Sequence, residues 1–512
     1  MKKTSLYILV LFILISSCKT QIAVNELANT ITSDELKEML YVYASDEYEG
    51  RETGKPGQKK AVEFIKSKYE EIGIPPAIEN NYFQDVPLQI LKTPKVEFTV
   101  NNEGFEYFDH YISYSSAPSQ ILQGSQVIFA GYGIDDENYN DYENLDVKGK
   151  IVVVKGGEPK DKAGNFIVTG TKEISKWSNG RQAISSKRDA AKIQGAKALI
   201  LIDSQMFGRY SAYFKRQVER GGSNRLSLIE QNNDDIHFFL AGKELGKQLV
   251  PEYDSKNKAE TVNSKISIIY ERIAVPIASE NVVAYIKGNE KPDEYVVISA
   301  HLDHIGVNND GEVYNGADDD GSGTVAIIEI AEAFKEATNK GQTPKRSVVF
   351  LHVTGEEKGL LGSRYYTDTN PIFPLENTVA NLNIDMIGRI DPKRESTNRN
   401  YVYLIGSDKL STELHNLSEA INKKYTKIEL DYTYNDENDP NRYYYRSDHY
   451  NFAKNNIPVI FYFNGTHDDY HAIGDTPDKI EYDLLENRTK LVFLTAWEIA
   501  NRKERLKVDK AK

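Results

Sequence analysis

From about residue 275 onward the chain alternates between short apolar runs and amphipathic stretches. "EYVVISAH", "RSVVFLHV", "TVANLNIDMIG" and "IPVIFYFNG" read as strands, and the run 324–334 reads as a helix with Val325 and Ile328 facing inward. Strands that alternate with helical runs predict a mostly parallel sheet covered on both faces. Residues 33–75 read as helical. Ser33 stands as the cap of "DELKEML", and "KKAVEFIKSKYEEIG" places Ala61, Phe64, Ile65 and Ile72 at helical spacing before Gly73 stops it. The polar, glycine-rich "SDEYEGRETGKPGQ" between them is a loop. From about residue 83 the pattern changes to short β-like runs, "VEFTV", "QVIFAGYGI" and "KIVVVKGG", and "KRDAAKIQGAKALILIDS" reads as a helix followed by a strand. The tyrosine-rich "DYTYNDENDPNRYYYRSDHY" is aromatic enough to be a folded loop.

Length then sets the scale. The 512 residues exceed what one core usually needs, so two or three compact units are expected. A composition 40% hydrophobic and 27% charged is that of a soluble globular protein. The formal net charge of −13 disfavours a nucleic-acid surface, which needs a basic stripe. "MKK" followed by the apolar run 6–15 suits a signal peptide and is too short to span a bilayer, which takes about 20 residues. Cys18, the only cysteine, follows directly, so no disulfide is possible. "ILISSC" resembles the lipobox of bacterial lipoproteins. That resemblance implies a signal peptide over 1–17, lipid attachment at Cys18, and a body tethered in the bacterial cell envelope, facing the periplasm or outer membrane.

Chemistry gathers just after the strands. "VVISAHLDHIG" supplies His301 and Asp303, "NGADDDGSG" supplies Asp318, Asp319 and Asp320, and "VTGEEKGLLGS" supplies Glu356 and Glu357. "NLNIDMIGR" adds Asp385, and "NGTHDDYHAIGDTPDKI" adds His467, Asp468, Asp469 and His471. Taken singly, each has an ordinary explanation: Asp320 or Ser322 caps a helix, and paired glutamates sit in solvent. Taken together in a parallel sheet, they converge on one edge. Carboxylates crowded there repel and drive their pKa values upward unless a cation relieves them. Imidazole with carboxylate suits zinc. Two histidines and three carboxylates fit two ions if one carboxylate is shared, and two ions that share a water form a hydrolytic arrangement.

The motifs "AHLDH", "NGADDDGSG", "TGEEKGLLGS", "NIDMIG" and "DYHAIGDTPD", in this order, resemble the M28 zinc metallopeptidases, as does the N-terminal "LYVYASDEYEGRETGKPGQKKAVEFI". The resemblance implies an α/β fold of the zinc-exopeptidase type (phosphorylase/hydrolase-like), a mostly parallel mixed sheet flanked by helices. It implies two Zn2+ per chain: His301, Asp319 and Asp385 on one, and Asp319, Glu357 and His471 on the other. Glu356 becomes the general base, and Tyr470 the donor that steadies an oxyanion. Asp303 is expected to accept a hydrogen bond from the His301 imidazole. Ser447, Asp448 and His449 match a pocket-lining segment, while His304, His352 and His467 are expected beside the site and not on the metal. The implied activity is an aminopeptidase acting on peptides with a free N-terminus. A glutaminyl-cyclase-like acyl transferase and a non-catalytic receptor-like homologue are the alternatives, and a calcium role for "ADDDGSG" fails the EF-hand spacing. "VIFAGYGI", "DVKGKIVVV" and "GAKALILI" resemble a protease-associated domain, a β-rich insert. The expected organisation is 18–110 and 276–505 for the peptidase domain, with the insert at 111–275.

Overall fold

The computed structural model describes residues 23–113, 115–219, 225–229 and 235–510; the expected signal peptide and Cys18 lie outside them. The chain forms two compact units, Met1–Val86 with Ser279–Lys512, and Pro87–Ala278.

The first unit is organised by strands β1 (Ala274–Ile286), β2 (Lys291–His301), β3 (Arg346–Val353), β4 (Thr378–Ile384), β5 (Tyr401–Ile405), β6 (Glu429–Asp431) and β7 (Val459–Phe463), in the order β1-β3-β2-β4-β7-β5-β6. Strands β3, β2, β4 and β7 are mutually parallel. β1 runs antiparallel to β3, and β5 antiparallel to β7. The unbroken apolar runs have a simple cause. Val296, Ile298 and Ala300 of β2 enter one core, while Tyr295 and Val297 enter the core on the opposite face. Each buried aliphatic side chain contributes about 1.5–3 kcal/mol over its exposed state.

Helices α1 (Ser33–Tyr43), α2 (Pro56–Ile72), α3 (Gly323–Asn339), α4 (Thr412–Lys424) and α5 (Tyr482–Asn501) send Leu36, Ala61, Ile65, Val325, Ile421 and Leu485 into the first core. Gly73 ends α2 in the left-handed region, at φ 75°. The cap of α1 differs from the expectation. Thr32, not Ser33, is the capping residue: its Oγ1 accepts the Glu35 N–H at 3.2 Å and donates to the Glu35 carboxylate at 2.7 Å. Ser33 N donates instead to Glu486 at 2.8 Å, tying α1 to α5.

The second unit carries a sheet of eight strands. Four of them, Gln120–Phe129, Ile151–Lys155, Ala198–Ile202 and His237–Ala241, are parallel neighbours in that order. Helices Gly180–Ile193 and Ser204–Glu219 belong to the same unit, so it is α/β and not simply β-rich. It also starts earlier than residue 111. Lys95–Val100 pairs with Glu103–Phe105 on one side and Glu260–Glu271 on the other, which commits those hydrogen bonds to the insert.

Candidate metal centre

The parallel strands deliver their C-terminal ends to one edge, and the chain turns there each time. His301 is the last residue of β2, Glu356 and Glu357 follow β3, Asp385 follows β4, and His471 lies in the loop after β7. Asp319 sits in the irregular turn before α3.

Asp319 is the hub. Its Oδ1 lies 3.1 Å from His301 Nε2, and its Oδ2 lies 3.2 Å from His471 Nε2. His301 Nε2 is also 3.7 Å from Asp385 Oδ1, and His471 Nε2 is 3.2 Å from Glu357 Oε2. All five expected ligand residues therefore meet. Their approach is not ordinary pairing, since buried His301 Nε2, Asp319 Oδ2 and Glu357 Oε1 make no hydrogen bond. Donors that share a tetrahedral ion at about 2.1 Å stand roughly 3.4 Å apart, which these separations match. Among the described residues, two groups suited to a cation emerge, His301–Asp319–Asp385 and His304–Asp319–Glu357.

The second group names a residue that the sequence reading set aside. His304 Nδ1 lies 2.9 Å from Glu357 Oε1 and 3.8 Å from Asp319 Oδ2, and the ring is fully buried. Neither of its nitrogens makes a hydrogen bond. Only its place in the "HLDH" motif hinted at this.

Asp303 takes a different part from the one expected. His301 Nδ1 is 2.9 Å from the main-chain oxygen of Asp303, against 3.9 Å for its carboxylate. The carboxylate accepts from Thr53 Oγ1 at 2.6 Å and from the Glu356 N–H at 3.2 Å, because the chain turns right after β2 and aims it at the β3 loop. It orients the backbone of Glu356, not the imidazole.

Asp320 joins three pieces of the edge. It accepts N–H groups from His301, from Gly323 at the start of α3, and from Met386 beyond β4. Buried Arg51 contributes from the "EGRETG" loop, donating to the carbonyls of Leu302, Asn315 and Gly316. Sequence reading gave that loop no role.

Charge follows the geometry. Burial opposes ionisation of the His301 imidazole, but the facing Asp319 and Asp385 carboxylates outweigh it and raise its pKa well above the usual value. Burial likewise opposes the charge of Asp319, and the surrounding imidazoles still hold it well below the carboxylate range. The imidazoles that face Glu357 bring its carboxyl down to about 2 against the upward push of burial and Asp319. Glu356 goes the other way. Burial pushes its carboxyl well up, and Glu357 and Asp385 add to this. The two adjacent glutamates thus occupy electrostatically opposite settings.

Glu356 and Tyr470 line one pocket with Asp319, Asp385 and His471, walled by Tyr443, Phe461 and Phe463. The Tyr470 ring stacks on His471 at 4.0 Å, and Arg446 donates to its hydroxyl at 3.5 Å. Ser447 lines the same pocket and accepts from Asn383 at 2.9 Å. Asp448 accepts from Ser363, and His449 stacks on Phe461 at 4.7 Å. His352 lies away from the metal groups, 2.6 Å from the Tyr69 hydroxyl. His467 Nε2 faces Asp318 at 3.3 Å, Asp469 pairs with Arg389, and Asp468 is exposed.

Fold and site define an α/β protein with a carboxylate–imidazole group suited to metal at the C-terminal ends of the parallel strands of a mixed sheet. Residues 281–496 match the model of peptidase family M28, and the chain carries a domain of that family. A probable zinc metalloprotease of Pyricularia oryzae is 26% identical over 279 residues, 47% of this chain and 54% of that protein. One from Pyrenophora tritici-repentis is 36% identical over 121 residues, 23% of this chain and 26% of its own. The chain spans about half the length of the first of these relatives. Among solved structures, an aminopeptidase from Aneurinibacillus sp. strain AM-1 aligns over 96% of this chain and 99% of its own, with 18% identity and a TM-score of 0.46.

Proposed function

We propose that the protein is a zinc-dependent peptidase that releases N-terminal residues from peptides at a centre of two ions. The observation that carries this reading is the division of Asp319, with one oxygen toward His301 and the other toward His471. The donor set is imidazole and carboxylate, the chemistry zinc prefers. His301 and Asp385 would hold one ion, Glu357 and His471 the other, and Asp319 both. Zinc supplies Lewis acidity and lowers the pKa of water to about 7.

The chain supplies the proton transfers and the orientation. Glu356, fixed through its N–H by Asp303, lines the pocket beside Asp319 and Asp385 and accepts the proton of the attacking water. It then returns that proton to the leaving amine. The Tyr470 phenol is a neutral donor, because burial and the nearby carboxylates push its ionisation far up, and it hydrogen-bonds the developing oxyanion. Tyr443, Phe461 and Phe463 give the pocket an aromatic wall.

A panel of aminoacyl-anilides and N-blocked peptides, assayed with and without chelator, tests the reading. Hydrolysis of unblocked substrates alone, lost on chelation and restored by zinc, is expected. Equal cleavage of N-blocked peptides would refute aminopeptidase action, and chelator-resistant turnover would refute the metal. We also propose envelope tethering through Cys18. Radiolabelled palmitate should enter the parent chain and not Cys18→Ser; equal labelling would dismiss the anchor.

A further inference from the structure

The insert has a cleft of its own, at the carboxyl ends of its parallel strands Ile151–Lys155 and Ala198–Ile202. Open α/β sheets receive ligands at such ends. The cavity measures about 570 Å³, within the range of small-molecule sites.

Its base is the Gly156–Gly157 turn that follows Ile151–Lys155. Lys187, on helix Gly180–Ile193, reaches this turn from one side. It is 1% exposed, and its ammonium donates to the Gly157 carbonyl at 2.9 Å and to the Tyr132 carbonyl. An ammonium has three N–H donors, so these bonds account for two. Burial lowers the Lys187 pKa to about 8, which leaves it charged at neutral pH.

Asp203 stands on the other side of the turn. Its Oδ1 caps helix Ser204–Glu219, accepting N–H groups of Gln205 at 3.1 Å and Met206 at 2.9 Å. Its Oδ2 lies against Gly156, where a Cβ would come within 2.1 Å of it. Only glycine leaves room for that oxygen. The cleft also holds Ser178, whose buried Oγ has no hydrogen-bond partner among the described residues. Arg209 lines it too, and pairs with no carboxylate among the described residues. Leu201, Met206 and Tyr210 supply an apolar wall.

Opposite charges on two sides of a glycine turn discriminate by charge. A phosphate would meet Asp203, and a simple cation would meet Lys187. A molecule bearing both charges satisfies each. We propose that this cleft binds a free α-amino acid with an apolar side chain. Its carboxylate would lie on Arg209 and the remaining Lys187 donor, its ammonium on Asp203, and its side chain on the apolar wall. This site does not depend on the metal centre.

Calorimetric titration of the zinc-loaded full chain with L-leucine tests it. Leucine should bind, while 4-methylpentanoate and 3-methylbutylamine, each lacking one charge, should bind at least tenfold more weakly. Arg209→Met, at an exposed position, and Asp203→Asn should each weaken leucine binding at least tenfold and leave anilide hydrolysis unchanged. Asp319→Asn should keep it. Equal binding of 4-methylpentanoate, or leucine binding lost in Asp319→Asn and kept in Arg209→Met, would overturn the assignment. Arg209→Met keeps the test decisive if Asp203→Asn fails to fold.

Discussion

Asp475 accepts the main-chain N–H of Asp319 at 3.1 Å, so the last loop of the domain fixes the backbone of the residue on which both metal groups depend. The same carboxylate accepts the Asp318 N–H, at 3.0 Å from Oδ2. Burial and the neighbouring Asp318 raise its pKa to about 6, so at neutral pH it is mainly ionised and acts as an acceptor. Asp475→Asn turns an N–H donor toward donors or leaves one of them unpaired. Zinc affinity and turnover should both fall roughly 10–100-fold, the usual effect of removing a group that orients a ligand. Chelator competition measures this, and an unchanged affinity would show that Asp475 serves packing alone.

Glu356→Gln removes proton transfer and keeps the shape. Zinc content should stay at the parent level while kcat for aminoacyl-anilides falls about 10²–10⁴-fold. A variant that turns over at the parent rate would exclude Glu356 as the base.

Gly316 is required by the turn that carries Asp319. Its φ is +57°, and a Cβ would approach the Asp319 carbonyl oxygen to 2.3 Å and the His304 ring to 2.6 Å. Gly316→Ala should displace the hub and cost about 10²-fold in activity, the scale of a 1 Å misplacement. Gly311 is the control. Its φ is +84°, but a Cβ there meets nothing within 4 Å, so Gly311→Ala adds backbone strain without the collision. Equal losses in the two variants would make strain, not displacement, the cause.

The central strands were legible because both of their faces are buried, which leaves β2, β3, β4 and β7 as unbroken apolar runs with chemistry directly after them. Strand direction then brings His301, Asp385 and the glutamates to one edge, so the convergence follows from the pattern once the sheet is parallel. The antiparallel β1 and β5 were not singled out; β1 passes straight into β2 without an intervening helix, and β5 is a run of only five residues, Tyr401–Ile405. His304 was placed off the metal because the five positions were already filled. Its entry depends on the turn after β2 meeting a segment far away in the chain, where His304 N donates to the Arg51 carbonyl at 3.3 Å.

Glu329 on α3 makes stability depend on pH. Burial raises its carboxyl to about 8, and Glu35 and Glu332 push in the same direction. The folded state therefore binds more protons than the unfolded one between about 4.5 and 8, and stability falls as pH rises through that window. Glu329→Gln should raise the melting temperature at pH 8.5 relative to the parent and change it little at pH 4.5. Thermal unfolding at both values checks this; a gain of the same size at each would mean that packing, not ionisation, is responsible.

The two histidines beside Glu357 are separable by experiment. His471 Nε2 lies 3.2 Å from both Asp319 and Glu357, as a shared ion requires, and its side chain is 38% exposed. His304 is fully buried and unevenly placed, at 2.9 Å from Glu357 and 3.8 Å from Asp319. His471→Ala should lower bound zinc from two ions to one, and its melting temperature should fall only by the stabilisation which that ion supplied, because little packing is lost. His304→Ala should open a cavity and lower the melting temperature by several degrees while both ions remain. Metal content after dialysis, read beside thermal unfolding, decides between them. Loss of an ion from His304→Ala, with two kept by His471→Ala, would transfer the ligand role to His304.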